Sequence, residues 1–326
     1  GQMTPDAALT FLGNMDLFWL IAAAGGGFFG AAIGGNFAFG FTGILILVGF
    51  GIAMATGSDV GFSYLAFGPV FGPHIVFAGA ASAAAYAAKK GRLQDTGKGR
   101  DINTALAGLG EPDVLLVGAL FGMLGYVINN LIAMIPWFGS HTDTVAFTVV
   151  LQGIIARLLF SKTGVFGWVS NLDGDRRWIA WQEKPSQWIT IGALGGLFGA
   201  GIATMVYYHA GAMLDPDTAA ILMANAKTLP FAISAITIFL LVFGVTIPVS
   251  HHITIIGGLA GVTFFEATQS GVLALILGAV FGVMSAAIAE LGNRLCYAHG
   301  DTHIDPPAFA IWPSTTIVLV LGALVA

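Results

Sequence analysis

The chain is organised as long apolar runs separated by short polar or Pro/Gly-rich breaks. Ten such runs occupy approximately residues 17–35, 39–55, 74–88, 114–135, 145–160, 188–208, 231–247, 252–267, 272–291 and 309–325. A helix of about 20 apolar residues crosses the hydrocarbon core of a bilayer. The pattern therefore predicts an all-α, polytopic membrane protein with about ten transmembrane helices. A further apolar run at 62–71 is too short to span and predicts a re-entrant turn.

Composition supports the membrane assignment and excludes other classes. Charged residues make up 9% of the chain and apolar residues 56%, whereas a soluble domain carries about 25% charged residues. The net charge is −5 without an extended basic run, which argues against a nucleic-acid partner. Cys296 is the single cysteine, so there is no disulfide framework. The lipid bilayer is the expected partner.

Basic residues predict which loops face the cytoplasm, since Lys and Arg concentrate there. All of the 12 Lys and Arg residues except Lys227 end or follow the third, fifth and ninth runs. With ten spans, these positions share one side. We therefore expect cytoplasmic basic loops at 89–100 and 161–187, an extracytoplasmic segment at 1–16, and a location in the cell (inner) membrane.

The two halves of the chain resemble each other. Residues 19–33 and 188–202 are identical at eight of fifteen positions. Further along the chain, GALFG at 118–122 in the first half matches GAVFG at 278–282 in the second half. Gly/Ala-rich helices resemble one another by composition, which would account for any single pair. Several collinear matches, one containing tryptophan, favour a true internal repeat.

The five runs of the first half map onto the five runs of the second half. Because each copy then has an odd number of spans, the second copy lies upside down in the membrane. The predicted architecture is a 5+5 inverted-topology repeat with repeat 1 at 17–160, a cytoplasmic linker at 161–187 and repeat 2 at 188–326. Inverted repeats are a common plan of transporters, whose substrate site lies near the bilayer midplane between the copies.

Short or interrupted helices in matching positions are the best sequence indicator of such a site. The third and eighth runs are short and begin at His74 and His252, each behind a Pro-containing segment. Their amino ends would present free N–H groups and positive dipole ends, which favour an anion or a dipolar solute. Histidine there would bind solute or take up a proton. The alternative is that both histidines lie at the membrane interface.

Other polar residues within the runs complete the candidate set: His251, Asn129, Asn130 and Glu290. For the asparagines, hydrogen bonding between helices is the competing interpretation. Glu290 lies near a helix end, where its side chain can extend to water instead.

No sequence motif indicates a metal, a nucleotide cofactor or catalysis. HGDTHID at 299–305 lies in a predicted cytoplasmic loop without helical ligand spacing, and NLDGDRR at 171–177 lacks most ligands of a calcium loop. We therefore expect no cofactor, and a non-enzymatic integral membrane transporter or channel for a small polar or anionic solute. A membrane subunit of a larger complex and an intramembrane enzyme are the alternatives, and a homo-oligomer is an open option.

Overall fold

A computed structural model describes residues 10–11, 15–93 and 98–326. Within them the protein is 76% helical. Two short strands, β1 (Thr10–Phe11) and β2 (Met15–Asp16), pair antiparallel before the first helix. Most of the predicted segment 1–16 and positions 94–97 of the first basic loop lie outside the described residues. The α-helices of the described part are α1 (Leu17–Ile33), α2 (Gly35–Thr56), α3 (Val76–Lys89), α4 (Pro112–Ala133), α5 (Thr144–Phe160), α6 (Pro185–Met213), α7 (Pro216–Asn225), α8 (Thr228–Val242), α9 (His251–Thr268), α10 (Gly271–Gly292) and α11 (Pro306–Val325).

Each predicted apolar run corresponds to one of these helices, with ends that agree to within a few residues except at the ends of α6 and α8, which each differ by five residues. The structure adds α7, whose polar start Pro216, Asp217 and Thr218 interrupts the apolar pattern. It also forms a short π-helix at Gly61–Ala66 inside the predicted re-entrant run.

Helices that can cross a membrane are present within the described part of the chain. Five are long and apolar enough: α2, α4, α6, α10 together with its continuation to Tyr297, and α11. A sixth is obtained if α7 and α8, which meet at a bend of 50°, form one span. The protein is therefore all-helical with several helices suited to a bilayer.

Local chemistry sets the starts and breaks of these helices. Gly34, at φ +95°, separates α1 from α2 in a conformation that disfavours residues with a Cβ atom. Asp143 caps α5 by accepting a hydrogen bond from the Ala146 amide at 2.9 Å. Asp305 caps α11 in the same way through the Ala308 amide, also at 2.9 Å. Each carboxylate satisfies an amide that has no partner within its helix.

Glycines allow close helix packing in two groups of helices, of which the first comprises α1–α5 and the second α6–α11. In the first, α1 packs against α3 and α4, and a Cβ atom on Gly27 would overlap the carbonyl oxygen of Gly118. In the second, α6 packs against α9 and α10, and a Cβ atom on Gly196 would overlap the carbonyl oxygen of Gly278. Both groups are held by backbone-to-backbone contact, the packing that small residues permit.

The two groups meet first through α2 and α8, which run antiparallel. Near the start of α2, the Phe37 ring lies 5.7 Å from that of Phe243, just beyond the end of α8. Further along α2, Phe41 lies 5.4 Å from Phe239, and a Cβ atom on Gly43 would lie 2.7 Å from the carbonyl oxygen of Ala232.

A second antiparallel contact joins α5 and α11. Thr142, just before α5, donates from Oγ1 to the carbonyl oxygen of Trp312 at 3.0 Å. Near the other end of α5, Arg157 donates from Nε to Oγ1 of Thr302 at 2.5 Å. Thr302 lies just before α11. The two groups of helices are thus joined twice, each time by helices that run in opposite directions.

The helices α3 and α9 form the centre of the molecule. Eleven of the 14 residues of α3 and twelve of the 18 residues of α9 are buried. At 1.5 Å per residue, α3 is about 21 Å long, shorter than a bilayer core of about 30 Å. Both helices are screened from the outer surface of the protein by their neighbours.

Candidate functional site

A cavity of about 490 Å³ lies between the two groups of helices. It is bounded by α2, α3 and α5 from the first group and by α8, α9 and α11 from the second. Loop residues around 100–103, 142–143 and 178–181 complete its walls. The cavity is therefore formed jointly by both groups.

Aromatic rings make one part of the cavity wall. Phe39 is the centre of this cluster, with ring centroids 6.1 Å from Phe77 and 5.6 Å from Phe231. Trp178 and Trp181 add indole rings from the segment that connects the two groups. This wall would contact an apolar or planar part of a bound molecule.

Polar and charged groups also line the cavity. Asn36 donates from Nδ2 to Oδ1 of Asn103 at 2.6 Å, which links α2 to the loop before α4. Lys227, at the bend between α7 and α8, has no ion-pair partner among the described residues. The charged residues that line the cavity are Arg100, Asp101, Asp143, Lys227 and Asp305. Charges are scarce in this chain, so their concentration around one cavity is informative.

His303 and Asp305 form a hydrogen-bonded pair in the cavity lining. Nε2 of His303 lies 2.8 Å from Oδ1 of Asp305, and the His303 side chain is 1% exposed. Nδ1 of His303 has no hydrogen-bond partner. The ring stands edge-on between Phe77, at 5.5 Å, and Tyr297, at 5.3 Å. The pair is thus a titratable group held in an otherwise aromatic surrounding.

Arg157 holds the irregular segment that carries this pair. Its guanidinium is fully buried and donates to the carbonyl oxygens of Gly164, Cys296 and Thr302 at 2.8–2.9 Å. Because buried backbone carbonyl oxygens require hydrogen-bond donors, these bonds explain how residues 300–305 can lie beside a cavity without regular secondary structure.

The segment before α9 is held by side chains from the connecting linker. Gln182 donates from Nε2 to the carbonyl oxygen of Val249 at 2.8 Å and accepts from the Val249 amide at 2.9 Å. Glu183 pairs with Arg177 at 2.8 Å. Burial raises the pKa of Glu183, and the Arg177 guanidinium opposes that shift. The linker is therefore part of the cavity wall as well as a connection.

Of the predicted histidines, His251 lines the cavity, with its ring 4.6 Å from that of Phe39. His252 is fully buried and does not line it; its carbonyl oxygen accepts from Oγ of Ser285 at 2.7 Å. His74 is also buried and does not line the cavity, although its neighbour Pro73 does.

The other predicted site residues also lie away from the cavity lining. Asn130 donates from Nδ2 to the carbonyl oxygen of Tyr126 in its own helix at 2.8 Å, and Oδ1 of Asn129 is buried without a partner. Glu290 forms an ion pair with Arg294 at 3.0 Å. The structure therefore brings His251 to the cavity but not Asn129, Asn130 or Glu290.

Several lining residues escape a sequence-based search. His303 and Asp305 belong to the 299–305 stretch, which the apolar pattern assigns to a loop. Two prolines directly after Asp305 mark a helix start, as capping statistics predict, but nothing local indicates burial. Within the described residues, no three His, Cys, Asp or Glu side chains are grouped as metal ligands would be.

The fold and cavity together define an all-helical protein with membrane-compatible helices and a mixed polar and aromatic cavity between two helix groups. The chain belongs to a family of unknown function, DUF7973, whose model matches residues 9–172 and 222–325. No curated protein and no solved structure matches it. The matched regions include the cavity residues of α2, α3, α5, α8, α9 and α11.

Proposed function

We propose that this protein is an integral membrane transporter or channel for a small polar or anionic solute, which passes through the cavity between two inverted repeats. The observation that carries the proposal is the cavity itself. It gathers five charged residues, one of which is Asp305 in its pair with His303, between two helix groups, in a chain with 9% charged residues. Polar residues at membrane depth are costly and mark solute and ion pathways.

The inverted repeat is supported by the way equivalent helices meet. In the proposed repeat, α8 is the counterpart of α2, and α11 is the counterpart of α5. The two members of each of these pairs pack directly together, as elements beside a two-fold axis do. Both pairs run antiparallel. A two-fold axis in the membrane plane produces antiparallel counterparts, whereas an axis along the membrane normal would produce parallel ones.

Matched packing within each repeat gives independent support. Gly27 meets Gly118 in the first repeat as Gly196 meets Gly278 in the second. The carbonyl oxygen of His74 contacts Gly125, and that of His252 accepts a hydrogen bond from Ser285. Positions 125 and 285 align when 118–122 is matched to 278–282, so the two histidine backbones occupy equivalent places.

The lining indicates the chemistry of the solute. A volume of about 490 Å³ falls in the usual range of small-molecule sites. Lys227 provides a cation for an anionic group, and the amides of Asn36 and Asn103 provide hydrogen bonds. The rings of Phe39 and its neighbours would cover an apolar portion. A small organic acid or a zwitterion combines these features.

The proposed setting is the inner membrane, with basic loops 89–100 and 161–187 in the cytoplasm. Large apolar side chains face outward on the long helices, including Leu116 and Leu120 on α4 and Leu194 on α6, each more than 60% exposed. Lipid contact accounts for such exposure, which water would penalise.

Solute flux in proteoliposomes tests the proposal. Uptake of radiolabelled lactate, glutamate, glycine and phosphate would be measured, together with osmotic swelling in glycerol and urea. We expect at least one solute to enter faster than into protein-free liposomes. Ala146→Trp, which fills the cavity, should abolish that flux, and Leu120→Trp on the lipid-facing surface should preserve it.

The alternatives make different predictions in the same preparation. Flux that persists in Ala146→Trp would exclude the cavity as the path. Absence of all flux together with a second protein that copurifies in fixed ratio would favour a membrane subunit, and bound metal in place of flux would favour an intramembrane enzyme.

A further inference from the structure

We infer that the His303–Asp305 pair binds the proton that drives solute movement, so that the protein is a proton-coupled carrier. This rests on the proposed transport function. The pair is buried, it lines the cavity, and it contains a ring nitrogen without a partner. Titratable side chains in such positions form the proton relays of membrane transporters.

The hydrogen bonds define where the proton would go. Oδ1 of Asp305 accepts from Nε2 of His303, and Oδ2 of Asp305 accepts from the Ala308 amide. Each oxygen of the carboxylate therefore accepts one hydrogen bond, and Nδ1 of His303 is the ring nitrogen without a partner. Imidazole accepts a proton near neutral pH, and the Asp305 carboxylate would stabilise the imidazolium that forms.

Charge balance connects this proton to the solute. With neutral His303 and ionised Asp305, the pair carries a charge of −1; with protonated His303, its net charge is zero. Proton binding therefore removes a net negative charge from the lining of the cavity, to which Lys227 contributes a positive charge. An anionic solute binds more favourably after that step, which links entry of the anion to entry of the proton.

Some of the other charged and titratable groups around the pair favour the charged form of His303, and others oppose it. His251 of α9 lies within electrostatic range of Asp305. Arg157 of α5 binds the neighbouring Thr302, and Arg100 lies over the Tyr297 ring at 5.1 Å. These arginines oppose a charged imidazole. The remaining groups on the lining are Asp101, Asp143, Lys227 and Tyr297, of which the two aspartates favour the charged imidazole.

A purely structural role is the competing explanation, because Asp305 also caps α11. His303→Gln separates the two roles, since glutamine can donate a hydrogen bond to Asp305 but does not titrate. Asp305→Asn retains an oxygen that can cap α11 but removes the negative charge. Neither variant should prevent folding, which circular dichroism and size-exclusion profiles would verify.

The first test measures proton binding without any solute. Protein labelled with ¹⁵N in the histidine rings would be titrated in detergent micelles, and the signal missing from His303→Gln would identify His303. We expect that signal to change from the neutral to the charged form as acid is added. In Asp305→Asn the change should require more acid. A ring that remains neutral throughout, or that ignores Asp305→Asn, would overturn the inference.

The closing test measures coupling in proteoliposomes with lactate, glutamate, glycine and phosphate as probes. For one proton per solute, a gradient of one pH unit should drive about tenfold accumulation of the transported probe. His303→Gln should still equilibrate that probe but should not accumulate it. Wild-type flux without accumulation would overturn the coupling and leave transport intact. Absence of wild-type flux for every probe would overturn the proposed function itself.

Discussion

Arg157 shows how a single residue can determine the shape of the cavity. Its side chain is the largest that is fully buried in the described part of the chain. Four hydrogen bonds tie it to the backbone or side chains of Gly164, Cys296 and Thr302. Its counter-charge is supplied by carbonyl dipoles and by the nearby Asp301 carboxylate. Arginine suits this role because its planar fork presents several donors at fixed angles.

Replacing Arg157 should therefore destabilise the fold. Arg157→Ala would leave three carbonyl oxygens without their donor, and each buried unsatisfied group costs about 1–3 kcal/mol. We expect a clear fall in melting temperature by scanning fluorimetry in detergent, and Arg157→Lys should recover part of it. Arg176→Ala, at an exposed position of the linker, is the matched control and should leave the melting temperature nearly unchanged.

Glu183 makes stability depend on pH. Burial raises its pKa, so the folded protein binds this proton more tightly than the unfolded chain does. The contribution of Glu183 to stability is therefore lost as pH rises through the folded-state pKa. Glu183→Gln removes this dependence. The difference in melting temperature between Glu183→Gln and wild type should shift in favour of the variant from pH 4 to pH 8, and a shift the other way would contradict the assignment.

The sequence predicted which types of residue line the cavity better than it predicted their positions. His251 was predicted and lines the cavity, because a histidine at the start of a buried helix is conspicuous in an apolar run. His303 was missed, because its burial depends on the Arg157 bonds to Cys296 and Thr302, which join residues about 140 positions apart. No local pattern records a contact of that separation.

Among the helices, glycine spacing determines which faces meet. Gly27 and Gly196 each face the backbone of a partner helix so closely that a methyl group has no space. Gly25 lies two residues from Gly27 on the same helix, and a Cβ atom added to it would have no neighbouring atom within 4 Å. The same helix thus contains a glycine that packing requires and one that it does not.

This contrast predicts different outcomes for alanine substitutions. Gly27→Ala and Gly196→Ala should each lower the melting temperature, because the helices must separate; overpacking typically costs about 1–3 kcal/mol. Gly25→Ala should be neutral or stabilising by up to about 1 kcal/mol, since alanine favours the helix. Equal effects at Gly25 and Gly27 would show that composition, and not contact, accounts for the glycines.

The helices themselves could be predicted well from the sequence, because a backbone in lipid must satisfy its own hydrogen bonds and long apolar runs have little alternative to helix. The exception, α7, begins with Pro216, Asp217 and Thr218 and bends into α8 at 50°. A short helix of mixed polarity has no distinctive apolar run. The end of α7 contributes to the site, since Asn225 at its last position and Lys227 just beyond it both line the cavity.

Across the whole molecule, the proposed topology places the basic loops on one side. In a background with Cys296 replaced, Lys98→Cys and Arg176→Cys should react with an impermeant thiol reagent from the same face of sealed membrane vesicles. Asp217→Cys, between α6 and the bend, should react from the opposite face. Labelling of positions 98 and 176 from opposite faces would contradict the inverted arrangement.

The central claim is that the cavity lies on a path between the two sides of the membrane. Asn103 and Asn225 line it from different loops, one before α4 and one at the end of α7. Single cysteines at these two positions, tested in vesicles of known orientation, give the most direct measurement. If the cavity lies on such a path, position 103 should be labelled from the cytoplasmic face and position 225 from the opposite face. Labelling of both positions from one face alone would contradict it.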